Sequence, residues 1–79
     1  MEFKEYDEKN VFITGAKCLR DSKQAILVKV KVKDKDEEFW VPQSQIHSDS
    51  EVWVVGDEGK LVISKWLAIK RGFWEKEED

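Results

Sequence analysis

Three lysines at alternate positions, Lys29, Lys31 and Lys33, stand in the run "QAILVKVKVK". A few residues further on, "EFWVPQSQI" carries Trp40, Ser44 and Gln45. Cations spaced by two share one face of a strand. A flat indole among them could stack on a base while the ammonium groups meet phosphates. The same residues also describe a half-exposed strand whose lysines discourage unwanted pairing and whose indole covers their alkyl stems. Ser44 and Gln45 could equally cap a short turn. These six side chains are the candidate binding surface.

Little else in the chain suits covalent or acid–base chemistry. It holds one cysteine, Cys18, and one histidine, His47. Catalysis by a nucleophile needs that group held beside a tuned base. Cys18 alternates with Ala16 in an apolar stretch and reads as a small buried residue. His47 opens the polar connector "HSDS" and reads as exposed. "GDEG" at 56–59 has turn glycines but lacks the Lys-Ser/Thr of a phosphate loop. The acidic runs 34–38 and 47–51 lack the frame of an EF-hand, and no Cys/His set suits zinc. The expectation is a chain that is not an enzyme, with no metal and no cofactor.

Seventy-nine residues make one domain. At this size only about 60% of the unfolded surface is buried, so each of the four Trp and four Phe weighs heavily in the core. Charged residues reach 39% but are interspersed with Val, Ile and Trp, as on the surface of a folded domain. The net charge is −3 and the isoelectric point lies near 5.2, which opposes a generic nucleic-acid coat. A lone cysteine permits no internal disulfide and fits a reducing compartment. The start "MEFKEYDEKN" has no apolar core of a leader, and the longest apolar runs are four residues, "AILV" and "VWVV". The expected location is cytoplasmic, in a bacterial host cell once the resemblance below is taken into account.

The elements that must position the candidates follow from period and punctuation. Residues 11–19 read as a first strand, with Gly15 marking a bulge or bend. Ile26, Val28, Val30 and Val32 alternate with lysines and form the clearest strand. "DKDE" at 34–37 reads as the turn into "EFWVP". Pairing Lys33 with Glu38 puts Val32 opposite Phe39, Lys31 opposite Trp40 and Val30 opposite Val41, whereas a one-residue slip would drive charge inward. Pro42 ends that strand and opens a single helical or 3₁₀ turn with Ile46 as anchor. "EVWVV" at 51–55 reads as another strand and "KLVIS" as the last. Phe39, Val41, Ile46, Val52 and Val54 are its expected core. Ser64 as N-cap and Gly72 after the last turn bracket a helix near 65–71, held by Trp66 and Ile69.

The expected fold is mostly β: a small five-stranded antiparallel barrel, OB- or SH3-like, with one short C-terminal helix. Residues 1–9 are expected to be a flexible segment, 10–74 the single domain and 75–79 an acidic disordered tail.

Trp40, Val41, Pro42, Gln43, Ser44, Gln45 and Ile46, followed by Gly56, Asp57, Gly59, Trp66, Ala68, Lys70 and Gly72, form a pattern that resembles small proteins of bacteriophages and prophages. The resemblance covers roughly residues 24–73. Gln43 stands where such proteins often carry Lys, and Arg71 separates Lys70 from Gly72. The resemblance implies a mobile-element origin and a shared fold, and brings no established activity. Four tryptophans exceed what so small a core hides, and an indole showing one face among charges suits a protein contact. Protein–protein binding, as an adaptor or inhibitor of a larger host or phage protein, therefore ranks first, with self-association included. Single-stranded nucleic acid is the alternative partner; a membrane is not expected.

Overall fold

The structure is a computed structural model and describes residues 2–75. Five strands, β1 (Lys4–Glu5), β2 (Asn10–Asp21), β3 (Ala25–Val32), β4 (Lys35–Pro42) and β5 (Glu58–Ser64), form one antiparallel sheet. A 3₁₀ turn spans Gln43–Gln45, and helix α1 spans Lys65–Lys70. The long strand β2 organises the rest. Val11 and Phe12 pair with both β1 and β5, and Lys17 pairs with both β3 and β5. So β5 takes one edge of β2, while β1 and β3 share the other.

Two irregularities bend β2, one between Ile13 and Ala16 and one between Cys18 and Arg20. Gly15, at φ 75°, sits in the first and adopts a backbone that a side chain would disfavour. The expected bend is therefore present. The strands do not close into the expected barrel. Among the described residues, β4 pairs only with β3, and an isolated bridge between Ile46 and Ile63 is the one ladder contact that brings the chain after β4 back to β5. Beyond it, the N–H of His47 donates to Val62 and that of Glu51 to Lys60.

The β3–β4 hairpin turns at Lys33 and Asp34, both at positive φ (53° and 64°), and not at 34–37. Two left-handed residues make the tight turn whose twist matches the flanking strands. The register consequently shifts by four residues from the expected one. Lys29 faces Glu38, Val28 faces Phe39, Leu27 faces Trp40 and Ile26 faces Val41. A shift of four preserves every face, because the side-chain period is two.

The second expected strand of the tryptophan-rich region is absent: 51–57 is a loop. Its main chain is held by side chains instead. The Asp57 carboxylate accepts the N–H groups of Trp53 (3.0 Å) and Val54 (3.1 Å), and the Asp21 carboxylate accepts that of Val55 (2.8 Å). Val52 is fully buried, but Val54 is 53% exposed and does not belong to the core.

Inner-face residues of β2–β5 form that core with Ile46, Val52, Leu67 and Ala68. The N-terminal stretch, expected to be flexible, supplies β1 and the buried Phe3, which stacks on Phe73 at 5.4 Å. Phe73 in turn meets Phe39 at 4.9 Å. Helix α1 begins where expected, with the Ser64 hydroxyl accepting the Leu67 N–H at 3.2 Å. It ends with Gly72 at φ 80°, whose N–H donates to Ile69 while that of Phe73 donates to Ala68. This paired closure satisfies the last carbonyls. The face that packs carries Lys65, Leu67 and Ala68, and Trp66 is exposed. The tail expected at 75–79 lies outside the described residues except for Glu75, which is exposed.

Candidate functional site

The hairpin places the six candidates in three different settings. The outer face of the sheet carries charge in rows across the strands. In one row Glu58, Lys17, Lys29 and Glu38 lie side by side, and in the next Lys31 faces Asp36. Lys29 also approaches Asp36 diagonally at 3.8 Å. Such exposed pairs add little stability, yet they neutralise the lysine stripe locally.

Trp40 lies in a separate row with Leu27 and Arg20, not beside Lys31. Trp40 is 43% exposed and stands directly across from the half-buried Leu27. Lys33 is not on this face in register at all. It occupies the hairpin turn and lines a groove of about 750 Å³ whose apolar floor includes Phe3, Val32, Phe73 and Trp74. The register error in the expected pairing explains this dispersal, since it set Trp40 opposite Lys31, four residues along β3 from its actual partner Leu27.

Ser44 is exposed within the 3₁₀ turn. Gln45 is structural: its Oε1 accepts the Ser64 hydroxyl at 2.5 Å, tying the turn to the helix N-cap. Neighbouring Gln43 likewise donates its side-chain amide to the Ser22 carbonyl at 2.9 Å. The structure thus keeps Lys29, Lys31 and Trp40 on one outer face, puts Ser44 and Gln45 in the 3₁₀ turn, and moves Lys33 into the hairpin turn.

Cys18 and His47 have local roles. The Cys18 thiol donates to the Arg20 carbonyl at 3.2 Å, and burial, with the Asp21 charge next, pushes its pKa up. A thiol held protonated is a poor nucleophile. His47 is half-buried, not exposed as the connector implied, because its ring packs on Tyr6 with centroids 5.3 Å apart. Its Nδ1 accepts the Asp49 N–H at 3.0 Å. Among the described residues, no group of three or more His, Cys, Asp or Glu is placed to hold a metal ion.

Two surface features add to the candidates: Trp66, expected to pack, and an unpaired strand edge, which the sequence suggests as a route for strand addition without locating it. Trp66 is 59% exposed on α1, with the Lys70 ammonium 4.9 Å from its ring centre. The other is the outer edge of β4. The Gln43 N–H donates to the Gln24 carbonyl, so the odd-numbered residues of β4 exchange hydrogen bonds with β3 and the even-numbered ones point outward. Pro42, which has no N–H, occupies an outward position. The Arg71 guanidinium reaches the outward carbonyl of Trp40 at 3.5 Å. No backbone hydrogen bond from another described residue reaches the outward groups of Asp36 or Glu38. The signal for this edge was in the sequence: a proline at the end of a strand fits only where no ladder partner follows.

Among the described residues, no helix is long and apolar enough to cross a membrane. Compared with known proteins, the chain matches no family model, no curated protein and no solved structure.

Proposed function

We propose that this chain is a small binding module without catalysis, an open barrel of SH3 or OB type that acts by contact with another protein. The bent β2 and the Ile46–Ile63 bridge support the barrel comparison, since together they nearly bring β5 round to the end of β4. The observation that carries the function is the outer face of the hairpin, where Trp40 is half-exposed beside Leu27 on an edge strand. An exposed indole with an apolar cross-strand partner and charged neighbours is the composition of an interface anchor. The resemblance to phage and prophage proteins brings no activity of its own. With the acidic charge and the exposed indoles it supports an adaptor or inhibitor of a larger host or phage protein, acting in the cytoplasm of a bacterial host.

Single-stranded nucleic acid is the weaker reading. Lys29 and Lys31 face Glu38 and Asp36, so a phosphate chain would meet paired charge and not a free basic stripe. Titrating oligonucleotide against tryptophan fluorescence should give a flat response at physiological salt. A salt-sensitive quench that Trp40→Ala weakens by about 1–3 kcal/mol would favour nucleic acid instead. For the protein reading, immobilised chain should retain a lysate protein that the folded Trp40→Ala variant releases. Equal retention by both forms would remove Trp40 from the contact.

A further inference from the structure

We propose that the outer edge of β4 takes up a short extended segment of a partner protein, in which two basic residues flank an apolar one. The inference rests on the protein-binding reading and gives it a partner chemistry. Asp36 and Glu38 offer outward N–H and C=O groups with no described backbone partner, on a strand that runs regularly from the turn to Pro42. An added strand would complete their hydrogen bonds, as extended peptides do at other exposed sheet edges. Arg71 covers the next outward carbonyl, that of Trp40, and so ends the docking length after Glu38.

Charge selects the segment. In the two outer-face rows nearest the turn the residue at the edge is acidic: Lys29 is followed by Glu38, and Lys31 by Asp36. Residues directly opposite these two acids in an added strand would share their face, and opposite charge is the favourable cross-strand pairing. A second copy of β4 would bring the same acidic positions to the edge, and like charges facing each other are unfavourable. Between the two basic residues, one side chain points to the other face, which Glu37 shares with Val32. There the groove over Phe3, Phe73 and Trp74 opens. An apolar side chain would bury itself against these rings, with the Lys33 and Glu37 charges at the rim.

The probe is a short, capped synthetic peptide alternating arginine with valine, titrated into isotope-labelled full-length chain. In the free protein the amides of Asp36 and Glu38 should exchange fast while those of Glu37 and Phe39 are protected. With peptide at about ten times its Kd, exchange at Asp36 and Glu38 should slow about tenfold. The double variant Asp36→Asn, Glu38→Gln, which keeps the edge but removes its charge, should weaken binding about three- to tenfold. A peptide N-methylated at alternate amides should not protect either site. Equal protection by a glutamate–valine peptide, or by the methylated one, would overturn the proposal. No protection at millimolar peptide would also overturn it, while leaving the Trp40 contact to its own test with Trp40→Ala.

Discussion

The stretches "EFWVP" at 38–42 and "EVWVV" at 51–55 are nearly interchangeable by composition, yet one is a strand and the other a loop. The first follows a two-residue turn and meets a complete neighbour, so Phe39 and Val41 exchange hydrogen bonds with Val28 and Ile26. The second starts as if to pair with β5, through the Glu51 N–H and the Lys60 carbonyl. It then leaves. Asp57 takes the N–H groups of Trp53 and Val54, and Gly56 and Asp57 dock on the N–H and carbonyl of Cys18 at the bulge of β2. A carboxylate a few residues ahead offers the backbone a local alternative to a ladder. Apolar alternation therefore marks what can be buried, but whether a strand forms depends on which acceptors come within reach.

The largest effect that bears on this contrast lies in the hairpin. Phe39 is buried and joins the ring cluster with Phe73. Phe39→Ala should cost about 3–5 kcal/mol, read as a shift in denaturant midpoint at unchanged slope. That is a large share of the roughly 5–15 kcal/mol that holds such domains together. A loss below about 1 kcal/mol would mean that the rings of Phe3 and Phe73 close over the cavity unaided. Asp57→Ala comes next, at about 2 kcal/mol, because it removes a charged acceptor from two N–H groups. Asp57→Asn keeps one acceptor and should cost less. If Asp57→Ala instead left stability unchanged and moved 51–55 into strand, the carboxylate would be shown to be the feature that prevents pairing.

Much of the architecture could be read from residue order alone, and the failures share a cause. The alternation at 26–32 located β3, Gly15 located the bend, and Ser64 with Gly72 located both ends of α1. The hairpin faces came out correctly although the register did not, since an even shift conserves sidedness. Choosing among even registers depends on the turn, and Lys33 and Asp34 are not the glycines that advertise a left-handed pair. Lys4–Glu5 was hidden because two residues have no period; its anchor is Phe3, whose partner Phe73 lies at the far end of the chain. For the candidate surface, Trp40 and Lys29 were found, while Gln45 was absorbed by a contact with Ser64 that no local pattern encodes.

Trp66 tests the same lesson on the helix, at smaller scale. Two turns of helix bury Leu67 and Ala68 and leave the indole outside, with the Lys70 ammonium across its face. Trp66→Ala should change stability by less than about 1 kcal/mol, the range of an exposed cation–π contact. A thermal midpoint falling as far as in Phe39→Ala would place the ring in the core after all.

The smallest effect appears only at alkaline pH, and it separates the side-chain-held region from the hairpin. The Tyr6 hydroxyl donates to the Asp49 carboxylate, and that hydrogen bond, with burial and the Asp49 charge behind it, raises the phenol above its ordinary 10.0. A raised pKa means that the folded state favours the proton. The contribution is therefore fully present below pH 10.0 and fades as pH rises through the folded value, where a phenolate would face a carboxylate. Tyr6 is the only tyrosine, so its ultraviolet titration is unambiguous and should run above that of the unfolded chain. Tyr6→Phe removes the titrating group while keeping the ring against His47 and Phe12. The wild type should lose stability relative to Tyr6→Phe over that window, with lysine titration common to both. Parallel stability curves would mean that Asp49 leaves the hydroxyl in solution, and that the chain from 46 to 57 is held by the His47, Glu51 and Asp57 contacts without it.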